Sequence, residues 1–220
     1  MRACFGGDYI VRMHGMNSEQ DDLKRALLAS VTALWESDSF ALRDTDRTRN
    51  LRPEILRRLL SLVMTDDERA ALFNLPEGCR VRESAKIIAH ENLVCGKYVW
   101  IGEGTLIDAS GGLEIGDHTS IGAGTMVWTH SSHLSNLAMK NESGNGLIQR
   151  KPTRIGKGCL IAGPSVVYAG VTIGDKCLIQ PMSVVTKDVP SYSIVTGSPG
   201  KVVRTLSEEV IEQMIRDAGA

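Results

Sequence analysis

Six residues separate each of Ile155, Ile161, Val167, Ile173, Ile179 and Val185. Four positions after them stand Cys159, Ser165, Val171, Cys177, Ser183 and Val189. The same rule appears upstream at Ile101, Ile107, Ile115, Ile121 and Val127, with Thr105, Thr119 and Thr125 four positions after the first, third and fourth. A fixed short period with an apolar first position and a small fifth position marks a repeat architecture, not ordinary strand or helix alternation. Each hexapeptide reads as a short strand followed by a tight corner. The apolar side chain points inward, and the small residue four on fits inside, where a larger one would clash. A Gly directly after many of the apolar positions allows backbone angles that other residues resist. Stacked coils pair each strand with the one above, so backbone groups are satisfied between coils.

Composition agrees with thin, tightly turned coils. Aromatic residues make up 5% of the 220 residues, while glycines number 22. A formal net charge of -1 removes any global electrostatic case for nucleic acid. The five cysteines form no C-x-x-C pair, so a zinc or dithiol reading is weak. Cys159 and Cys177 fall three repeats apart and are expected to stack on adjacent coils, about 4.8 Å apart, as buried thiols. Their parallel side-chain vectors suit a disulfide poorly. Met1 to Gly15 has no apolar core of a signal peptide and no run approaches a membrane span, so a reducing cytoplasm is the expectation.

Three regions follow: an N-terminal helical region at 1–80, a repeat domain at 81–206 and a C-terminal helix at 207–220. In the first, Leu23, Ala26, Leu27, Val31 and Leu34 recur at helical spacing after a Ser18 cap, and Pro53 opens a second helix. Thr65-Asp66-Asp67-Glu68 has the form of a capping box before Ala70, Ala71 and Leu72. Arg43–Arg52 holds four Arg and two Asp and reads as a solvated linker, with phosphate binding the alternative. At the other end, Ser207 caps a helix whose apolar stripe, Val210, Ile211, Met214 and Ile215, is suited to cover the exposed end of the coil stack.

The period breaks once, between Val127 and Ile155. The interruption, a protruding loop at 131–154, cannot be another coil, and long loops inside a compact fold are usually functional or disordered. His130 and His133 sit where it leaves the coil. A smaller insertion of two residues falls at Leu113-Glu114.

Five stretches together resemble the hexapeptide-repeat acyltransferases: Ile115-Gly116-Asp117-His118-Thr119-Ser120-Ile121-Gly122-Ala123-Gly124; Thr129-His130-Ser131-Ser132-His133; Val171-Thr172-Ile173-Gly174-Asp175; Val184-Val185-Thr186-Lys187-Asp188-Val189-Pro190; and Gly197-Ser198-Pro199-Gly200-Lys201-Val202-Val203-Arg204. The set covers about residues 93 to 206 and looks most like the maltose, galactoside and nodulation-factor O-acetyltransferases. The resemblance implies a left-handed parallel β-helix, acetyl-CoA as donor, and a homotrimer with active sites between neighbouring subunits. It also implies a catalytic histidine at the root of the loop, His133 first and His130 second. By the same resemblance Ala162, Gly163, Thr186 and Lys187 line the CoA groove, with Lys201 and Arg204 near its phosphates, and Asp108 stands near an acceptor-binding position of the relatives. Trp128 is a candidate wall of the acceptor pocket or a trimer-packing residue.

Acyl transfer from a thioester needs a base for the acceptor's proton and donors for the oxyanion that forms. Imidazole, with an unperturbed pKa of about 6.5, suits the first task. Backbone N–H groups on a coil edge suit the second, Gly163 and Ser165 being the candidates. The leading expectation is therefore an acetyl-CoA-dependent acetyltransferase acting on a hydroxyl or amine of a sugar or nucleotide sugar in surface-polysaccharide synthesis, with no metal. Two alternatives stand beside it. One is a zinc carbonic anhydrase of the same coil, with His118, His130 and His133 as ligands. The other is a non-catalytic trimeric scaffold.

Overall fold

The computed structural model describes residues 57–140 and 146–219, together with helical positions at Asp22, Arg25, Ala26, Ala29, Ser30, Ala33, Leu51 and Ile55. The chain divides into two compact units, Met1–Thr65 and Asp66–Ala220. In the first, the described positions up to Ser61 are helical, and Ser30 donates its hydroxyl to the Ala26 carbonyl one turn back (2.8 Å). Ser18 and most of Arg43–Arg52 lie outside the described residues.

The second unit opens with α1 (Asp66–Leu72), where the capping-box pattern predicts a helix. Its Arg69 is buried and donates to the Val81 carbonyl (2.9 Å), which ties the helix to the first coil. Ala70 and Phe73 join the core there.

Five coils follow. The first holds β1 (Arg80–Val81), β2 (Lys86–Ile88) and β3 (Leu93–Cys95), and the second β4 (Trp100–Ile101), β5 (Leu106–Asp108) and β6 (Leu113–Ile115). The third begins with β7 (Ser120–Ile121) and β8 (Met126–Val127). It leaves the stack for a loop carrying β9 (His130–Ser131), α2 (His133–Leu137) and β10 (Gln149–Arg150), then re-enters at β11 (Thr153–Ile155). The fourth holds β12 (Leu160–Ile161), β13 (Val166–Val167) and β14 (Thr172–Ile173), and the fifth β15 (Leu178–Ile179) and β16 (Val184–Val185). β17 (Ser193–Thr196) pairs antiparallel with β18 (Lys201–Thr205) and ends the stack. The strands form three parallel faces, ordered β1-β4-β7-β12-β15-β17, β2-β5-β8-β13-β16 and β3-β6-β11-β14. This is a parallel β-helix.

The core is the period itself. Ile101, Ile107, Ile121, Val127, Ile161 and Val167 are fully buried along the axis. The small residues four positions on also face inward: Thr105, Thr119, Thr125, Cys159, Ser165 and Ser183 are all buried. The Cys177 N–H points at the Cys159 sulfur (3.5 Å), and both thiols are free.

The structure corrects the reading of the glycines. Those directly after the apolar residue do not have positive φ; they are required by close approach of the next coil. A Cβ on Gly122 would lie 2.4 Å from the Gly163 nitrogen. The left-handed backbone occurs two positions later, at the corner: Gly124 and Gly158 adopt it, and so do Tyr98, His118, Lys176, Met182 and Tyr192. That turn aims the fifth residue back inside.

Two further corrections concern placement. Leu113 and Glu114 are ordinary strand residues of β6, paired with β3 and β11. The two extra residues sit just before them, in the corner Ala109–Gly112. The C-terminal helix α3 (Glu208–Asp217) is capped by Ser207 but lies along the flank, with Glu208 tied to Lys176 (2.6 Å) and also bonded to Tyr192. The β17–β18 pair, not the helix, ends the stack. Among the described residues no helix is long and apolar enough to cross a membrane.

Candidate active site

Three coils widen at one corner, between the second and third faces. Ile88 pairs with Asp108, and Ile107 with Val127, so Ala89–Asn92, Ala109–Gly112 and the loop after Val127 occupy the same edge. The third widening is the loop, and its base is an antiparallel ribbon with Ser131 opposite Gln149 and His130 opposite Arg150.

At this corner His130 meets Asp108. The carboxylate is completely buried and lies 2.7 Å from the imidazole Nδ1 through Oδ2. That oxygen also accepts from the Thr129 N–H (2.9 Å) and the Thr129 hydroxyl (3.0 Å). The other oxygen accepts from the Ser110 N–H (3.1 Å). The Ser110 hydroxyl lies 3.2 Å from His130 Nδ1. Burial pushes the Asp108 carboxyl up, but the N–H of Thr129, the imidazole and both polar groups of Ser110 outweigh it and hold the pKa at about 2. An ionised carboxylate facing Nδ1 fixes the proton there and leaves Nε2 as the free lone pair. The corner is locked in turn by Gly111, whose N–H donates to the Thr129 hydroxyl (2.8 Å). A Cβ on Gly111 would strike the Thr129 carbonyl at 2.1 Å, so no side chain fits. Trp128 stands edge-on to the imidazole at 5.9 Å.

The other expected site residues are distributed as follows. His133 begins α2, is exposed, and bonds through Nδ1 to the Ser131 hydroxyl (2.8 Å), with no carboxylate beside it among the described residues. The imidazole held by a buried carboxylate is therefore that of His130. Asp108 is sealed from solvent, so it meets the imidazole and not an acceptor. His118 occupies a different corner, stacked on Tyr98 at 5.0 Å, and does not converge with His130 and His133. Among the described residues no three His, Cys, Asp or Glu are placed to share a metal ion.

The Ser165 hydroxyl is turned inside and donates to the Ala162 carbonyl (2.6 Å), while Gly163 stays half-buried on the edge. Thr186 and Lys187 are exposed just after β16, on the edge that carries Trp128 and His130. Ala162 and Gly163 follow β12 on the neighbouring edge, and Lys201 and Arg204 are exposed on β18. One chain thus brings Thr186 and Lys187 to the edge of His130 and leaves the other four elsewhere. Thr129 and Ser110 were missed in the sequence. The available signal was the shared widening of successive coils at one corner.

Fold and repeat point to one class of coil: residues 152–187 match the family model for the bacterial transferase hexapeptide (six repeats). Among individual proteins, the chain is 35% identical over 109 residues to serine acetyltransferase 2 of Arabidopsis thaliana, covering 50% of this chain and 31% of that protein. It is 31% identical over 124 residues to WcaF of Escherichia coli, named for acetyl transfer in colanic acid biosynthesis, covering 56% of this chain and 64% of the relative. The chain therefore spans less than two thirds of the length of these curated relatives. A hexapeptide-repeat acetyltransferase structure from Vibrio cholerae superimposes with a TM-score of 0.65 at 24% identity, covering 75% of this chain and 96% of that one, a likeness of fold. The same Vibrio protein complexed with acetyl coenzyme A aligns at 26% identity and a TM-score of 0.51, covering 75% and 92%.

Proposed function

We propose that this protein transfers the acetyl group of acetyl-CoA to a hydroxyl, or an amine, of a sugar in surface-polysaccharide synthesis, with His130 as the general base. The observation that carries the reading is the imidazole held by a buried, ionised Asp108 at the root of the loop. Nε2 takes the acceptor's proton as its oxygen or nitrogen attacks the thioester carbonyl. The new bond forms as the carbonyl electrons move to oxygen. They return as the carbon–sulfur bond breaks, and the imidazolium gives its proton to the departing thiolate. Asp108 keeps Nδ1 protonated and offsets the positive charge that appears on the ring.

The acetyl-CoA complex of the Vibrio protein supports the donor, and the colanic acid name of the Escherichia coli relative supports a polysaccharide acceptor. Ala162, Gly163, Thr186, Lys187, Lys201 and Arg204 would hold CoA, the cations taking its phosphates. Because these residues fall on more than one edge, the groove is completed when the edge of one copy meets that of the next, as in a homotrimer. Leu137 and Met139 of the loop, 79% and 88% exposed, support a neighbouring copy covering them. The four cysteines among the described residues are free thiols, which fits a cytoplasmic enzyme.

The test is CoA release with a thiol-detecting assay, over a panel of sugars, nucleotide sugars and serine. Acceptor-dependent release that is lost in His130→Asn is expected. No release with any acceptor, or a full rate in His130→Asn, would sink the proposal.

A further inference from the structure

The ribbon at the loop base carries a residue that neither the carboxylate–imidazole pair nor the CoA groove uses. Arg150 is the Cα partner of His130 across β9 and β10. Directly opposite residues of an antiparallel pair project from the same side, with Cβ atoms about 5 Å apart. The alternation is visible one residue on. Lys151 turns the other way and lays its stem over Gly170, where an added Cβ would meet it at 3.1 Å. Trp128, two residues before His130 in the chain and outside its strand, stands edge-on to the ring. A ligand at Nε2 would therefore lie among an indole, an imidazole and a guanidinium.

Arg150 is exposed and, among the described residues, its guanidinium has no ion-pair or hydrogen-bond partner. Other arginines of the coil behave differently: Arg154 is spent on Glu114 (3.1 Å) and Arg82 on Glu83 (3.4 Å). An uncompensated cation next to a base is a liability. When His130 takes the acceptor's proton the ring becomes positive, and a guanidinium within reach opposes that charge. Asp108 offsets one positive charge, not two. An anion brought by the acceptor would supply the missing compensation and would turn Arg150 from a hindrance into a clamp. Guanidinium is also the side chain that grips carboxylate and phosphate in bidentate fashion.

We infer that the acceptor is an anionic saccharide, carrying a carboxylate or a phosphate near the reacting group, and that Arg150 selects it; this rests on the acetyl-transfer reading above. The test compares matched acceptors at fixed ionic strength: neutral hexoses, the corresponding uronic acids and hexose phosphates. At least one anionic class should exceed its neutral counterpart in kcat/KM by about tenfold or more, with the gap shrinking as salt rises. Arg150→Gln should bring that ratio close to one, mainly through KM, and Arg150→Lys should keep part of it. The uronate and phosphate arms identify which anion is read. Equal use of neutral and anionic sugars by the unaltered protein, or a preference that survives in Arg150→Gln, would overturn the inference while leaving acetyl transfer intact. Absence of CoA release with every acceptor would remove both.

Discussion

Replacing Asp108 by Asn tests the site at its centre. The side chain keeps its shape and loses its charge. Oδ2 accepts from the Thr129 N–H, the Thr129 hydroxyl and His130, while Oδ1 accepts from the Ser110 N–H. An amide has one acceptor oxygen, so in either orientation its NH2 group faces a donor. The carboxylate's own contribution follows from its pKa, about 2 against an ordinary 3.8. The gap is worth about 2–2.5 kcal/mol, present in full above pH ~4 and lost as the pH falls through ~2, because there the unfolded chain binds a proton that the folded one refuses. A donor left facing a donor adds about 1–3 kcal/mol. Asp108→Asn should therefore lower stability by roughly 3–5 kcal/mol at pH 7, and the difference should narrow only below pH ~4. Urea unfolding at one fixed protein concentration measures this, since assembly would otherwise move the midpoint. The rate should suffer more than the fold. If the amide nitrogen faces Nδ1, the ring proton shifts to Nε2 and the base is lost, a fall of about 10²–10⁴ in kcat. A variant whose kcat stays within about threefold, or whose stability difference is flat from pH 7 to 3, would refute the carboxylate–imidazole argument.

The remaining predictions use the same protein. His130→Ala should lose about 10²–10⁴ in kcat, whereas His133→Ala, which removes only an exposed ring bonded to Ser131, should cost less than about threefold; the reverse ranking in steady-state assays would reinstate His133. Gly122→Ala forces a Cβ to 2.4 Å from the Gly163 backbone nitrogen, which cannot give way as a flexible side chain would. The expected loss is about 1–3 kcal/mol by urea denaturation, and an unchanged midpoint would remove close coil contact as the reason for that glycine. Thr125→Val replaces a buried hydroxyl that lacks a hydrogen-bond partner, so it should be neutral or stabilising by up to about 1 kcal/mol, and a clear loss in thermal unfolding would show that the hydroxyl is satisfied.

The coil was legible because its rule is local and repeated. A six-residue period with a small fifth position can be met by one simple geometry, and every core residue it marks is buried. What stayed hidden was the division of labour within the period. The corner demands a left-handed residue at the fourth position, but Gly, His, Lys, Met and Tyr all supply it, so composition does not announce it. The glycine that composition does announce, as at Gly122, answers to the coil beside it, a contact with the distant Gly163 that no local rule contains. The flanking helix α3 shows the same limit. Its cap is local and was readable; its position along the flank depends on Glu208 reaching Lys176 and Tyr192, which is a matter of distant partners.

The site lay between these cases. His130 was visible because it stands at the one large break, but His133 is equally near that break, and proximity cannot rank two histidines. Their ranking depends on which ring a carboxylate supports. Asp108 follows Ile107 directly, Thr129 and His130 follow Val127 by two and three residues, and Ile107 pairs with Val127. Superimposing the two corners brings Asp108 and Ser110 beneath Thr129 and His130, while His133 has already left on the loop. The period therefore carried the answer once the coils were stacked as well as counted. Two extra residues at Ala109–Gly112 are what give the corner room to turn a buried carboxylate toward the ring, and Gly111 within that insertion is where no side chain could stand. The break in the period and the small widening below it thus form one feature: the lower coil supplies the carboxylate that meets the imidazole, and the upper coil supplies His130 and the ribbon that brings Arg150 opposite it.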